Sequence, residues 1–332
     1  MKKILTIISI LMLSGCSIFG SNNLNNKEIY TTIYPNKYLI NYLYGDNITV
    51  NSIYPVGIDF KEYELSEKKL NEYAKSIMFV YNSLDMDRNY AVEMININPN
   101  LKLIDVALNM KQISEVESAW LNPYNYLMMA KNTKESLNEY IEDPYTKGKI
   151  NNKYSELEYE LSKLDANYRE VFTNAKYKTI VADKDLFKYL EKYNITVISL
   201  EEDIKTITIK ESDTLGDISK TYNVPTSDIL TYNNLKKESV SVGQTIKVPI
   251  KTIDSSDLEK VKKLINEKQI SYIYSDGSTD NSVINKLIED YKLEKVNINT
   301  MYSVDGGITN TNDNYLTIMN SNLELYQKEL NK

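Results

Sequence analysis

The sequence has 332 residues, enough for about two domains at roughly 150 residues each. Its 42% hydrophobic and 26% charged residues are those of a globular chain with a core, and the balance of 39 Lys and Arg against 46 Asp and Glu speaks against nucleic acid as a partner. The absence of histidine excludes a Ser-His-Asp triad, a histidine base and imidazole ligands for zinc or copper, and a single cysteine excludes an internal disulfide and any CxxC site.

In chain order, Lys2 and Lys3 precede an apolar run, Ile4–Leu13, too short to span a bilayer and patterned as a signal-peptide core. It ends in Leu13-Ser14-Gly15-Cys16, which resembles a bacterial lipobox. Residues 1–15 therefore read as a lipoprotein signal peptide, Cys16 as the lipidated residue and 16–27 as a polar tether. More than one acyl chain gives stable attachment. The expected location is the extracytoplasmic face of a bacterial cell membrane, in contact with the cell wall. No later segment is apolar for long enough to cross a membrane.

From Lys27 onward, short β-rich runs alternate with helical patterns, the signature of an α/β fold with parallel sheets. Strands are expected at Ile29–Ile33, Ile48–Ile53, Ser76–Val80 and Lys102–Val106, with helices at Tyr38–Tyr44 and Ser66–Tyr73. Asn122-Pro123 opens a helix to about Ile141, with Asn as N-cap and Pro in the first turn. Tyr154, Leu157, Leu161, Leu164, Tyr168 and Val171 then form one apolar stripe on a long helix over about 146–174. A coiled-coil dimer is the competing explanation of that stripe. The α/β pattern restarts with strands at Lys178–Val181, Ile195–Leu200, Ser271–Ser275 and Lys295–Asn299, and helices at Leu186–Lys192, Ser256–Lys268, Ser282–Tyr291 and about Asn314–Leu330. Residues 205–250 interrupt it with a strand, two helices and a strand of their own. The expected architecture is two α/β lobes with parallel sheets (28–145; 176–204 with 251–332), joined by a long backbone helix (146–175), plus an inserted βααβ module (205–250).

The inserted module resembles a LysM domain. Asp213-Thr214-Leu215 matches the turn before its first helix, Ile218, Tyr222, Val224, Ile229 and Leu230 its core, Asn233-Asn234-Leu235 the post-helix turn, and Val242-Gly243-Gln244 the start of the last strand. Ser212 replaces the usual glycine. The resemblance implies binding of peptidoglycan or another N-acetylglucosamine glycan in a groove between Asp213, Thr214 and Leu215 on one side and Asn233, Asn234 and Leu235 on the other.

Outside the insertion, the chain resembles the zinc/manganese-type solute-binding lipoproteins of ABC transporters. The matching residues are Ile33-Tyr34-Pro35, Gly45-Asp46, Gly57-Ile58-Asp59, Tyr63-Glu64, Tyr81-Asn82, Trp120-Leu121-Asn122-Pro123, Phe187, Tyr189 and the Tyr315…Met319…Asn322 ending. The resemblance implies a cleft between lobes that holds zinc or manganese as the transported ligand, and an ABC permease as partner, with no resident cofactor. Carried over residue by residue, the family's ligand positions are Lys61, Ser118, Lys184, Asp276 and Asn299, of which only Asp276 keeps a ligating side chain typical of the family. Two ammonium groups would repel a dication, and zinc is disfavoured without nitrogen or sulfur ligands. Glu62, Glu117, Asp183 and Asp276 remain as oxygen ligands for a harder ion. Lys61 and Lys184 are expected to pair with Asp276.

Asp276-Gly277-Ser278-Thr279-Asp280 and Asp305-Gly306-Gly307 lack EF-hand spacing and read as turns. No P-loop or GxGxxG is present. Glu115 and Glu117 are the pair a two-carboxylate wall hydrolase would need, but no hydrolase motif surrounds them, and the chain is read as non-enzymatic. A scaffold bridging membrane and wall without transport is the alternative to an importer component.

Overall fold

The computed structural model describes residue 24 and residues 27–45, 47–55, 63–84, 87–110, 116–278, 281–302 and 312–332. The first lobe contains β1 (Glu28–Thr31), α1 (Tyr34–Tyr44), β2 (Thr49–Ser52), α2 (Glu67–Tyr73), β3 (Met78–Tyr81), α3 (Asp87–Ile97) and β4 (Lys102–Asp105). Its four strands form one parallel sheet in the order β2-β1-β3-β4. Helix α1 starts four residues earlier than its apolar pattern suggests, because Pro35 sits in its first turn, where the missing N–H costs nothing. The sequence pattern gave no sign of α3: only Asp87, Ala91 and Met94 of its eleven residues are buried, too few to make a stripe.

Two helices follow. In α4 (Pro123–Tyr140), the Asn122 side chain accepts from the N–H groups of Tyr124 and Asn125, as a cap should. The 31-residue α5 (Pro144–Asn174) is capped by Asp143 and extends about 46 Å at 1.5 Å per residue. Ile150, Leu157, Leu161, Leu164, Tyr168 and Phe172 are its buried residues; Tyr154 and Val171 are half-buried against the same core. That core also takes in Leu39 and Leu43 of α1 and Met129 and Leu137 of α4. The stripe is thus covered from within the chain, which removes the ground for a coiled-coil dimer.

The second lobe begins with β5 (Thr179–Ala182), a 3-10 run at Asp185–Tyr193 and β6 (Thr196–Ser199). The 3-10 run replaces the expected α-helix. Phe187, Leu190 and Tyr193, spaced by three, are all buried, and side chains at i and i+3 eclipse in this geometry. The insertion comprises β7 (Asp203–Thr208), α6 (Leu215–Tyr222), α7 (Thr226–Tyr232) and β8 (Thr245–Lys251), after which come α8 (Ser255–Asn266), β9 (Tyr272–Ser275), α9 (Ser282–Tyr291), β10 (Glu294–Asn297) and α10 (Tyr315–Leu330). The lobe sheet is again parallel, in the order β10-β9-β5-β6. Helix α10 starts from a capping box of Asn314 and Thr317 and brings Met319, Leu323 and Tyr326 onto the core shared with α5. The α/β class, the two parallel-sheet lobes and the long helix between them are as expected from the sequence.

Three aromatic side chains bind the lobes together. The Trp120 indole donates to the Thr300 carbonyl at 2.7 Å, the Tyr315 hydroxyl donates to the Trp120 carbonyl at 2.6 Å, and the Tyr315 ring stacks on Tyr126 at 3.7 Å between centroids.

In the insertion, β7 and β8 pair antiparallel, and Ile209, Leu215, Ile218, Val224, Ile229, Ile246 and Val248 form a core of their own. Ser212 has φ of 74°, in the left-handed region where a Cβ is strained. Replacing Ser212 by glycine is expected to stabilise the module by about 1 kcal/mol. Amide hydrogen exchange across α6 and β8 would read the gain; unchanged protection would contradict it.

Candidate functional site

Chain order and sheet order part company at β5: the chain runs from β5 to β6 on one side, whereas β9 lies on the other. In open parallel sheets, ligands bind outside the carboxyl ends of the strands at such a switch point. Here those ends carry Asp183 and Lys184 after β5, and Ser275, Asp276, Gly277 and Ser278 at and after β9. The Lys184 ammonium donates to Asp276 Oδ2 at 2.9 Å and to the Ser278 hydroxyl. That hydroxyl donates in turn to Asp276 Oδ1 at 2.8 Å, which also accepts the Ser278 N–H at 2.9 Å. Burial alone would push the Asp276 carboxyl up, but Lys184 and the Ser278 donors hold it below its ordinary value.

Asp183 is buried at 1% exposure. The Ser275 hydroxyl donates to its Oδ2 and accepts the Gly277 N–H at 2.9 Å. Its Oδ1 has no hydrogen-bond partner. Burial pushes the carboxyl up to about 6, opposed by the Ser275 hydrogen bond and raised further by the Asp276 charge. Gly277, with φ of 83°, makes the turn that returns its N–H to Ser275.

Of the residues singled out in the sequence, Lys184 and Asp276 are thus brought together, with Asp183 beside them. Asn299 does another job: its Oδ1 accepts the Met301 N–H at 2.9 Å, and its backbone exchanges bonds with the Asn322 side chain. Cys16, Lys61, Glu62 and Glu115 lie outside the described residues. Glu117 and Ser118 fall on the 3-10 turn Val116–Leu121, with their side chains outside the described set. No group of three or more His, Cys, Asp or Glu suited to a metal occurs among the described residues. Sequence reasoning missed Ser275; a serine closing a β-strand one residue before an Asp-Gly turn is the local signal for it.

The first lobe has its own switch point, at β1 and β3. There Thr32 Oγ1 donates to Asp87 Oδ2 at 2.6 Å, Asn36 Nδ2 donates to Thr32 Oγ1 at 3.2 Å, and the Asn82 N–H reaches Asp87 Oδ2 at 3.4 Å. All four residues are buried. None was marked in the sequence as a site residue.

In the insertion, Leu215 is a correction: at 1% exposure it is a core residue and offers no face to a ligand. Asn233 is tied to β8, donating to the Lys247 carbonyl at 2.6 Å and accepting the Lys247 N–H at 2.8 Å. Asp213 accepts the Lys210 N–H at 2.7 Å, and Thr214 caps α6 by accepting from Asp217. Asn234 is exposed and Leu235 half-buried. The module is fastened to its host by Lys251, which reaches Asp185 at 2.5 Å and Glu201 at 2.6 Å.

Among the described residues, no helix is long and apolar enough to cross a membrane. A family model described as the periplasmic zinc-uptake complex component A, ZnuA, matches residues 29–247. The chain is 27% identical over 212 residues to a metal ABC transporter substrate-binding lipoprotein of Lactococcus lactis subsp. lactis, covering 58% of this chain and 67% of that one. It is 25% identical over 217 residues to the manganese ABC transporter substrate-binding lipoprotein PsaA of Streptococcus pneumoniae, covering 58% and 69%. In fold it is similar to the Zn(II)-bound ZnuA-like domain of Streptococcus pneumoniae AdcA, with a TM-score of 0.65 at 18% identity over 92% of this chain and 100% of that one. The laminin-binding protein Lbp of Streptococcus pyogenes gives 0.64 at 14% identity, over 92% and 99%. With the family model matching well over half of its length, the chain belongs to the ZnuA family of solute-binding lipoproteins.

Proposed function

We propose that this chain is the extracytoplasmic solute-binding component of a metal-type ABC importer, lipidated at Cys16 and served by a permease and ATPase. The observation that carries this reading is the ring of charged and hydroxyl side chains at the β5/β9 switch point, in a member of a family whose relatives are named as substrate-binding lipoproteins of metal and manganese ABC transporters. In this reading residues 28–145 and 176–204 with 251–332 are the two lobes, and residues 146–175 link them. The 205–250 insertion is a LysM-type module that holds the protein against peptidoglycan. Its βααβ order and separate core support that assignment, as does the left-handed φ of Ser212, where the LysM pattern has glycine.

Deleting the gene in its own bacterium and measuring cell-associated zinc and manganese during metal limitation tests the importer reading. Lowered metal, restored by the intact gene but not by Cys16→Ala, is expected; unchanged metal together with no permease co-purifying would refute it. For the module, sedimentation with purified peptidoglycan should fall to background when residues 205–250 are removed. A second reading, a scaffold between membrane and wall, is favoured by one observation: Lys184 already neutralises Asp276. Normal metal content in the deletion strain, with weakened attachment of membrane to wall, would select it.

A further inference from the structure

The arrangement around Lys184 is a closed circuit. The ammonium donates to Asp276 Oδ2 and to Ser278 Oγ, and the Ser278 hydroxyl donates a hydrogen bond of its own to Asp276 Oδ1. Every polar atom of that circuit has a partner, and the Lys184 and Asp276 side chains are only 26% and 11% exposed. Such a pair is screened far less than an ion pair on the open surface. Asp183 stands one residue before Lys184, is itself buried, and keeps one oxygen without a partner. The Asp276 carboxylate, the Ser278 hydroxyl and the open Asp183 oxygen are hard oxygen donors of the kind calcium or manganese take, and not the nitrogen and sulfur donors of a zinc site. Yet the charge that those oxygens answer is at present a lysine's.

We propose that Lys184 is a tethered cation that sets the ion selectivity of the β5/β9 site: its ammonium holds the place between Asp276 and Ser278, and a divalent ion enters only by displacing it. This rests on the reading of that site as the solute site. Displacement removes one positive charge and brings in two, so the carboxylates gain Coulomb attraction but lose the ammonium's fitted hydrogen bonds. The site therefore discriminates between a hard ion abundant enough to compete and a trace ion that is not. Serine hydroxyls suit it to this exchange, since Ser278 Oγ accepts from Lys184 now and can turn the same lone pairs to a metal.

The test uses the mature chain with Cys16 replaced by alanine, titrated with manganese alone in a calorimeter. Lys184→Gln keeps a donor to Asp276 and Ser278 without the charge, and Lys184→Met removes both charge and donor. Both are expected to bind one manganese roughly tenfold or more tightly than the wild type, and Asp276→Asn added to either should abolish the gain. Lys184→Arg, which keeps the charge, should bind no better than the wild type. If Lys184→Met does not fold, Lys184→Gln carries the comparison. Affinity unchanged on removing the charge, or unaffected by Asp276→Asn, would overturn the proposal, as would a lack of manganese binding in every variant. If metal uptake still depends on the gene in those cases, the importer reading stands and only this inference falls. Tightened binding in the variants, with uptake independent of the gene, supports the inference and removes the importer reading.

Discussion

Replacing Trp120 by alanine is expected to destabilise the protein by about 3–5 kcal/mol, the range for deleting a fully buried aromatic side chain. Trp120 is 1% exposed, donates to the Thr300 carbonyl, and packs its ring against Tyr302 at 5.3 Å between centroids. Its carbonyl receives the Tyr315 hydroxyl, so a collapse around the cavity also disturbs the start of α10. Trp120→Phe keeps most of the volume, and its main deficit is the Thr300 carbonyl left without a donor, about 1–2 kcal/mol. Urea unfolding followed by circular dichroism measures both. A cost below about 1 kcal/mol for the alanine variant would show that the junction can close over the gap, and that the two lobes do not depend on this side chain.

The second large effect has a pH signature. The Asp183 carboxyl is raised from an ordinary value of 3.8 to about 6, chiefly because burial penalises its charge. The folded state therefore holds this proton more tightly than the unfolded chain does. The resulting stability is fully present below the ordinary value and is lost as pH rises through about 6. Two pH units correspond to about 3 kcal/mol. Asp183→Asn removes the charge but places an NH2 group where Oδ1 now has no partner, which costs part of that gain. The expected net effect is a variant about 1–2 kcal/mol more stable than the wild type at pH 7.5, with the difference shrinking toward zero or reversing near pH 4. Parallel stability curves for the two proteins between pH 4 and 7.5 would mean that Asp183 gains its compensation elsewhere in the folded state.

Much of the scaffold was legible because its signals are local. The second-lobe helix Ser282–Tyr291 coincides with its expected bounds, since Asn281 caps it and Lys292, in the left-handed region, ends it. The eight lobe strands among the described residues all fall within two residues of their expected bounds at either end. The α5 stripe has the phase its apolar spacing predicts; Phe172, rather than its neighbour Val171, closes it, because the buried face drifts along 31 residues at 3.6 per turn. The 3-10 run at Asp185–Tyr193 differs from the expected α-helix because apolar spacing by three is common to both geometries.

The site was legible only in part. Pairing of Lys184 with Asp276 followed from aligning two short motifs, although 92 residues separate them. Apart from its place just before the Asp-Gly turn, nothing local marks Ser275 as the donor to Asp183, and nothing at all marks Lys251 as the clamp between the module and Asp185 and Glu201, because those contacts exist only once β5, β6, β8 and β9 are assembled. The same holds for Asn233, whose motif suggested a ligand contact while its amide imitates a strand edge toward Lys247. In the Thr32, Asn36, Asn82 and Asp87 cluster only Asn82 belongs to a family-matching pair, Tyr81-Asn82, and nothing in that pair points to its three partners.

The chain contains a single tryptophan among 28 tyrosines, and that tryptophan sits at the junction, with its indole N–H on the Thr300 carbonyl. Excited at the red edge of the indole band, where phenols do not absorb, the protein therefore emits from one known place without any label. A hinge motion that separates Trp120 from Thr300 wets the indole and shifts its emission to the red, whereas lobes that stay locked leave the spectrum where it is. The fold thus carries its own optical gauge of lobe movement, readable in a cuvette as ligand, pH or wall fragments are added.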